Sequence, residues 1–343
     1  MNIPLMAFFH LPITVQRMKP YLLLPFLFVL LVQQAYSQPE YEKVEAWVAA
    51  FPKPAANVGS TEIARKLTEP FKTDTEKARA LFSWIAHNIR YDCEKYRYPE
   101  RVRFSGRTKE DVQREQEKWE ADQLKQTLRK KKGVCEDYSR LFKVMCDSVG
   151  LEAVIIDGNA RQFFRPFRKL PKGTDHTWNA VKIDGQWRLL DPTWAAGYAD
   201  EEVTKFTADY QPGYFMTSPA WFVQDHFPQD PKWQLLETPV GREAFPEQAL
   251  VNFGQITYLV EDFSPKAAKL AEVNDKMEIR VKFVKEPPAL IVVSRNTKQL
   301  PVEQTKTDDG YTVLRFEAPG KGEITVFGGE KKGKKGWLLR YYQ

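Results

Sequence analysis

The stretch from Gly133 to Trp194 decides the fold. It reads Gly133-Val134-Cys135-Glu136-Asp137-Tyr138, then His176-Thr177-Trp178-Asn179-Ala180-Val181, then Leu190-Asp191-Pro192-Thr193-Trp194. A cysteine, a histidine and an aspartate follow in that order. From Glu136 onward Leu141, Phe142, Val144, Met145 and Val149 recur at helical spacing, and Gly150 stands where a C-terminal cap belongs. Cys135 therefore falls at a helix N-terminus. Unpaired N–H groups and the positive dipole end favour a thiolate there, the nucleophilic form of the side chain. Gly133 reads as room for a substrate backbone beside the sulfur.

A hairpin places the other two residues. Asn179–Ile183 and Gln186–Leu190 are apolar-rich runs joined by Asp184-Gly185, a strong signal for a two-residue type I′ turn. A two-residue turn pairs Ile183 with Gln186. Continued outward, that register sets Trp178 opposite Asp191 and His176 opposite Thr193. Side chains alternate faces, so His176 and Asp191 become diagonal neighbours on one face, within reach of a hydrogen bond. The aspartate then fixes one imidazole nitrogen and leaves the other to face the thiol. This is the logic of nucleophile, base and orienting carboxylate. Each residue alone has a plainer reading: a buried small hydrophobe, a structural histidine, an Asp-Pro turn. The chain has only four histidines, and one falls in register with the aspartate that ends this hairpin. The conjunction favours a Cys135–His176–Asp191 triad.

These blocks resemble the transglutaminase-like cysteine enzymes, part of the wider papain-like group. The upstream segment Trp84-Ile85-Ala86-His87-Asn88-Ile89-Arg90-Tyr91-Asp92 is similar to the helix that precedes the nucleophile there. Tyr214-Phe215-Met216-Thr217-Ser218-Pro219 and His226-Phe227-Pro228 through Trp233-Gln234-Leu235-Leu236 resemble the kyphoscoliosis-peptidase-like branch. The resemblance covers residues 60–240. It implies an α+β fold, a papain/transglutaminase-like core in which the nucleophile helix packs on an antiparallel sheet. It also implies acyl transfer through a thioester, with Cys135, His176 and Asp191 in the triad positions. Trp194, Tyr138, Trp178 and Trp84 are the aromatics to consider for the cleft or the oxyanion, with core packing as the plainer role for Trp84 and for Tyr91. Glu136 stands where animal crosslinking enzymes typically carry Trp, and nothing marks a lysine-donor site, so hydrolysis by a peptidase or amidase is favoured slightly over crosslinking. The family also contains catalytically silent scaffolds, so a non-catalytic binding module is the rival reading. An arylamine-type acetyltransferase shares the Cys-His-Asp order, but no coenzyme A-binding feature is present.

The first 37 residues read as a signal peptide. Arg17 and Lys19 precede the apolar run Tyr21 to Val32, and Ala35-Tyr36-Ser37 fits a cleavage site. Met1 and Met18 are both possible starts. The run is short for a membrane span. The chain is therefore expected to be exported, periplasmic or secreted. The remainder divides into a catalytic domain, 38–245, and a β-rich domain, 246–343. Within the former, Ala153 to Ile156 reads as a strand ended by Asp157-Gly158, Ala160 to Asp175 as an arginine-rich segment that is either a cleft wall or a loop, and 195–240 as irregular aromatic- and proline-rich packing over the core. The β-rich domain has strand-like runs at Gln255–Val260, Met277–Phe283, Leu290–Ser294, Tyr311–Glu317, Glu323–Phe327 and Trp337–Tyr342, the pattern of a β-sandwich.

Three cysteines make no disulfide framework. Cys135 and Cys146 lie too far apart along one helix to bond, whereas Cys93 with Cys146 stays open. A net charge of +6 from 51 basic and 45 acidic residues is modest, and no nucleic-acid motif, phosphate loop, metal-ligand cluster or cofactor site is evident. Glu330 to Gly336 reads as a solvated basic hairpin loop, with an anionic wall polymer or membrane surface as the sharper alternative. The expected partner is a protein or peptide substrate.

Overall fold

The computed structural model describes residues 41–55, 57–161, 169–252, 260–284, 289–294, 299–331 and 334–343. The leader expected at 1–37, most of the strand expected at Gln255–Val260, the middle of the arginine-rich segment 160–175 and positions 332–333 of the basic loop lie outside the described residues. Residues 40–343 form one compact unit.

Helices come first: α1 Glu42–Ala50, α2 Ser60–Thr68, α3 Asp74–Asn88, α4 Cys93–Arg97, α5 Lys109–Lys130 and α6 Cys135–Ser148. Their starts follow the local chemistry. Thr73 accepts from the Glu76 N–H while Glu76 accepts from the Thr73 N–H, both at 3.2 Å, a reciprocal capping box that opens α3. Thr108 and Asp111 do the same for α5. Gly150, at φ +80°, ends the turn after α6. Two short strands, β1 Arg90–Tyr91 and β2 Lys132–Gly133, pair in parallel and bring the end of α3 beside the start of α6.

The central antiparallel sheet is built from β3 Ala153–Ala160, β4 His176–Ile183 and β5 Gln186–Leu190. After the short helix α7 Pro192–Ala196 come a small ribbon, β6 Gly197–Ala199 and β7 Phe206–Ala208, then β8 Phe215–Thr217, helix α8 Pro219–Phe222 and β9 His226–Pro228. The strand order is β8-β5-β4-β3-β9. Asp184 and Gly185 both have positive φ, as a type I′ turn demands, and Ile183 pairs with Gln186 through to Asn179 with Leu190.

Three sequence expectations need correction. The β4–β5 ladder stops at Asn179–Leu190, and Asp191 leaves the sheet to cap α7, so Trp178 does not face it as a strand partner. The strand expected at Ala153–Ile156 runs on through Asp157-Gly158 to Ala160, because Gly158 is a close-packing position rather than a turn. A Cβ there would lie 2.3 Å from the Phe227 carbonyl oxygen and 2.4 Å from the Trp178 ring. The segment 195–240, expected to be irregular cover, supplies both edge strands of the central sheet.

From Leu250 the chain builds two further antiparallel sheets. One joins β10 Leu250–Val251, β14 Leu290–Ser294, β17 Glu323–Lys331 and β18 Lys334–Tyr342. The other joins β11 Val260–Ser264, β12 Glu272–Val273, β13 Lys276–Phe283, β15 Glu303–Lys306 and β16 Tyr311–Phe316. Ile279, Val281 and Leu314 from one and Val292, Val326 and Leu339 from the other are buried in the same hydrophobic cluster, as in a β-sandwich. Arg161 at the end of β3 ties this half to the core. Its buried guanidinium donates to the Gln224, Gln248 and Ala249 carbonyls. Burial lowers its pKa to about 10, still far above neutrality. Among the described residues no helix is long and apolar enough to cross a membrane.

Candidate functional site

Cys135 is the first residue of α6 and is half-buried. The turn that presents it is clamped from below. Asp137 accepts from the Val134 N–H at 2.8 Å, and Lys95 of α4 reaches the same carboxylate at 2.8 Å and Gln123 of α5 at 3.1 Å. Gly133 serves this clamp. A Cβ there would lie 2.6 Å from the Asp137 Cβ, so the missing side chain makes room for Asp137 and not for substrate.

Two polar contacts fix α6 against the strand that carries the histidine. The Ser139 hydroxyl donates to the Thr177 carbonyl, and the Asn179 amide donates to the Ser139 carbonyl, both at 3.0 Å and both buried. They set the distance between the start of α6 and the start of β4. His176, the first residue of β4, lies beside Cys135 and hydrogen-bonds Asp191. Its Nε2 lies 2.7 Å from Asp191 Oδ2, which leaves Nδ1 for the thiol. Burial disfavours a charged His176, but the adjacent Asp191 carboxylate overrides it and holds the imidazole up to about 10. For Asp191 burial acts in the opposite sense and is likewise outweighed: His176 holds the carboxyl far below its usual range. Asp191 Oδ1 accepts the Thr193 and Trp194 N–H groups at 2.7 and 3.1 Å, the cap of α7.

The aromatics divide. Trp194 stacks beside His176, with ring centroids 5.2 Å apart. Tyr138, Trp178 and Trp84 are closed to solvent, so they pack the core and do not wall a cleft. The Tyr138 hydroxyl donates to the Ile89 carbonyl at 2.6 Å and pins α6 to the end of α3. The Trp178 ring meets His226 edge-on, and Trp84 lies under the Lys131 ammonium. Tyr91, whose backbone pairs with Gly133, stands near the thiol: burial and then the neighbouring Cys135 push its phenol well above the ordinary range, so it stays a donor. Cys93 and Cys146 are buried free thiols and form no bridge.

Sequence reasoning gives His226 no role, and the structure does. Its Nε2 lies 3.1 Å from Asp191 Oδ2, and its Nδ1 lies 2.5 Å from Asp225 Oδ1. The Tyr214 hydroxyl donates to Asp225 Oδ2 at 3.1 Å. The sheet explains the meeting. His176 pairs across β3 with Gly158, and His226 on the far side pairs with Ala160. All four share one face, and the two small residues between let the imidazoles approach to 5.4 Å. The available signal was an Asp-His dipeptide in a histidine-poor chain, but nothing local links positions 191 and 226.

His176, Asp191 and His226 also offer ligand atoms within 4.8 Å of one another, the grouping a metal needs. Asp191 Oδ2 is committed to direct hydrogen bonds with both imidazoles. An ion would have to replace both contacts, so the trio fits a hydrogen-bonded relay better than an open coordination site.

The family model of the transglutaminase-like superfamily matches residues 61–192, which hold α3, Cys135, His176 and Asp191. The chain belongs to the transglutaminase-like superfamily. Within it, this transglutaminase-like chain is 31% identical over 250 residues to kyphoscoliosis peptidase of Mus musculus, covering 70% of this chain and 34% of the relative. The Homo sapiens kyphoscoliosis peptidase is 29% identical, covering 76% and 36%. Hillarin of Drosophila melanogaster is 24% identical, covering 82% and 34%. These place the chain in the kyphoscoliosis-peptidase branch. It spans about a third of the length of these curated relatives.

Proposed function

We propose that this chain is an exported cysteine enzyme that transfers acyl groups from peptide or glutamine carboxamide bonds through a thioester. The observation that carries the reading is the buried His176–Asp191 contact beside Cys135, a half-buried thiol at a helix N-terminus. The Cys135 sulfur, its proton already lodged on His176, attacks the carbonyl carbon. The oxyanion faces the first N–H groups of α6, with the Cys135 N–H foremost. His176 then protonates the departing amine and the thioester remains. Water attacks it next, giving its proton back to His176, and the acid leaves with the thiol restored. An amine in place of water would give transamidation; hydrolysis is the favoured course. Catalysis belongs to residues 38–245, and the sandwich, 246–343, is a structural appendage packed in the same compact unit. Export rests on the leader-like composition of residues 1–37.

The test is iodoacetamide labelling followed by mass spectrometry. Cys135 should react faster than buried Cys93 and Cys146, and His176→Ala should slow it about tenfold or more. Peptide and glutamine substrates would then be screened against Cys135→Ala. Labelling unchanged in His176→Ala would sink the enzyme reading and leave a binding module.

A further inference from the structure

A triad needs one imidazole on its carboxylate, and Asp191 carries two. Asp191 Oδ2 takes His176 at 2.7 Å and His226 at 3.1 Å, while Oδ1 takes two backbone N–H groups. His226 is itself braced. Asp225 holds its Nδ1, Tyr214 holds Asp225, and the imidazole stacks on Phe222 at 4.2 Å. Every one of these polar side chains is closed to solvent or nearly so. Such a network is costly to bury unless each member is satisfied, and packing alone would be served by a phenyl ring.

We propose that His226, braced by Asp225, is a positioning residue. It donates from Nε2 to hold the Asp191 carboxylate in the rotamer that serves His176. It also shares the charge of that carboxylate. The inference rests on the thiol chemistry proposed above. With both imidazoles protonated, two carboxylates and two imidazolium ions balance in one buried cluster. The charged or titratable groups facing the cluster from its neighbours are Cys135, Tyr214, Tyr138 and Arg161. Asp225 raises the proton affinity of His226 against the cost of burial, consistent with a ring that donates from both nitrogens.

Two substitutions in the full chain separate positioning from packing. His226→Gln keeps a nitrogen donor near the Nε2 position but loses the ring. His226→Phe keeps the ring but loses the donor. Positioning predicts iodoacetamide labelling of Cys135 within about threefold of wild type for the glutamine variant, and slowed about tenfold or more for the phenylalanine variant. The reverse order would overturn the inference and leave His226 a packing residue. A second measurement needs no variant to fold. In the wild-type chain labelled with ¹⁵N-histidine, the His226 Nε2 should carry a proton at neutral pH, and a bare Nε2 would overturn the inference. His176→Ala is the control. If it labels as fast as wild type, the thiol reading falls and this inference falls with it. If it is slow while the two 226 variants are reversed, only this inference falls.

Discussion

Replacing Asp191 by asparagine changes almost no volume and should be among the most damaging substitutions in the chain. The carboxylate accepts on both oxygens: two backbone N–H groups on Oδ1 and two imidazoles on Oδ2. An amide has one oxygen. Whichever way the new side chain turns, its NH₂ group faces donors, either the start of α7 or the two histidines. Losing two hydrogen bonds to a charged group costs about 3–6 kcal/mol at about 1.5–3 each. The raised His176 gives an independent figure. Moving its proton affinity from about 10 back to 6.5 amounts to about 5 kcal/mol. The two describe one interaction and are not summed. The sign of the pH dependence follows from the raised value: the His176 contribution is whole below pH 6.5 and is lost as pH rises toward about 10. Urea unfolding of wild type and Asp191→Asn should therefore show a gap of about 3–6 kcal/mol below pH 6.5 that narrows near pH 10. A gap below about 1 kcal/mol, equal at both pH values, would refute an ionised His176–Asp191 pair.

Other substitutions test how the site is held. Tyr138→Phe removes the hydrogen bond to the Ile89 carbonyl and should cost about 1–3 kcal/mol of stability in urea unfolding, with Cys135 labelling unchanged. Slower labelling would mean that Tyr138 serves the thiol. Gly158→Ala places a methyl against the Phe227 carbonyl and the Trp178 ring, and should destabilise by about 1–3 kcal/mol while slowing labelling as β9 shifts His226. A thermal melt and labelling rate matching wild type would contradict that close packing. Gly133→Ala should loosen the Asp137 cap, lowering stability by a similar amount, again read by urea unfolding.

Much of this was legible along the chain because its causes are local. Apolar spacing, Gly150 and the capping residues mark α6 and α3. Asp184-Gly185 sets the register from Ile183–Gln186 as far as Asn179–Leu190, since a one-residue slip would turn every buried side chain outward. The meeting of His176 with Asp191 follows from that hairpin, although the aspartate reaches it from a helix cap. The use of Gly133, the burial of Tyr138, Trp178 and Trp84, and the place of His226 were not legible. They depend on which residues β3 sets between two strands and on how α6 seats against the sheet through Ser139 and Asn179. Sequence alone marked Cys135, His176 and Asp191 as a candidate triad and located the local elements that carry them, because hydrogen bonding and side-chain periodicity act over a few residues. Tertiary structure alone decided that one carboxylate serves two imidazoles, because contacts between distant positions are set by sheet order and by the small residues that let strands and rings close in.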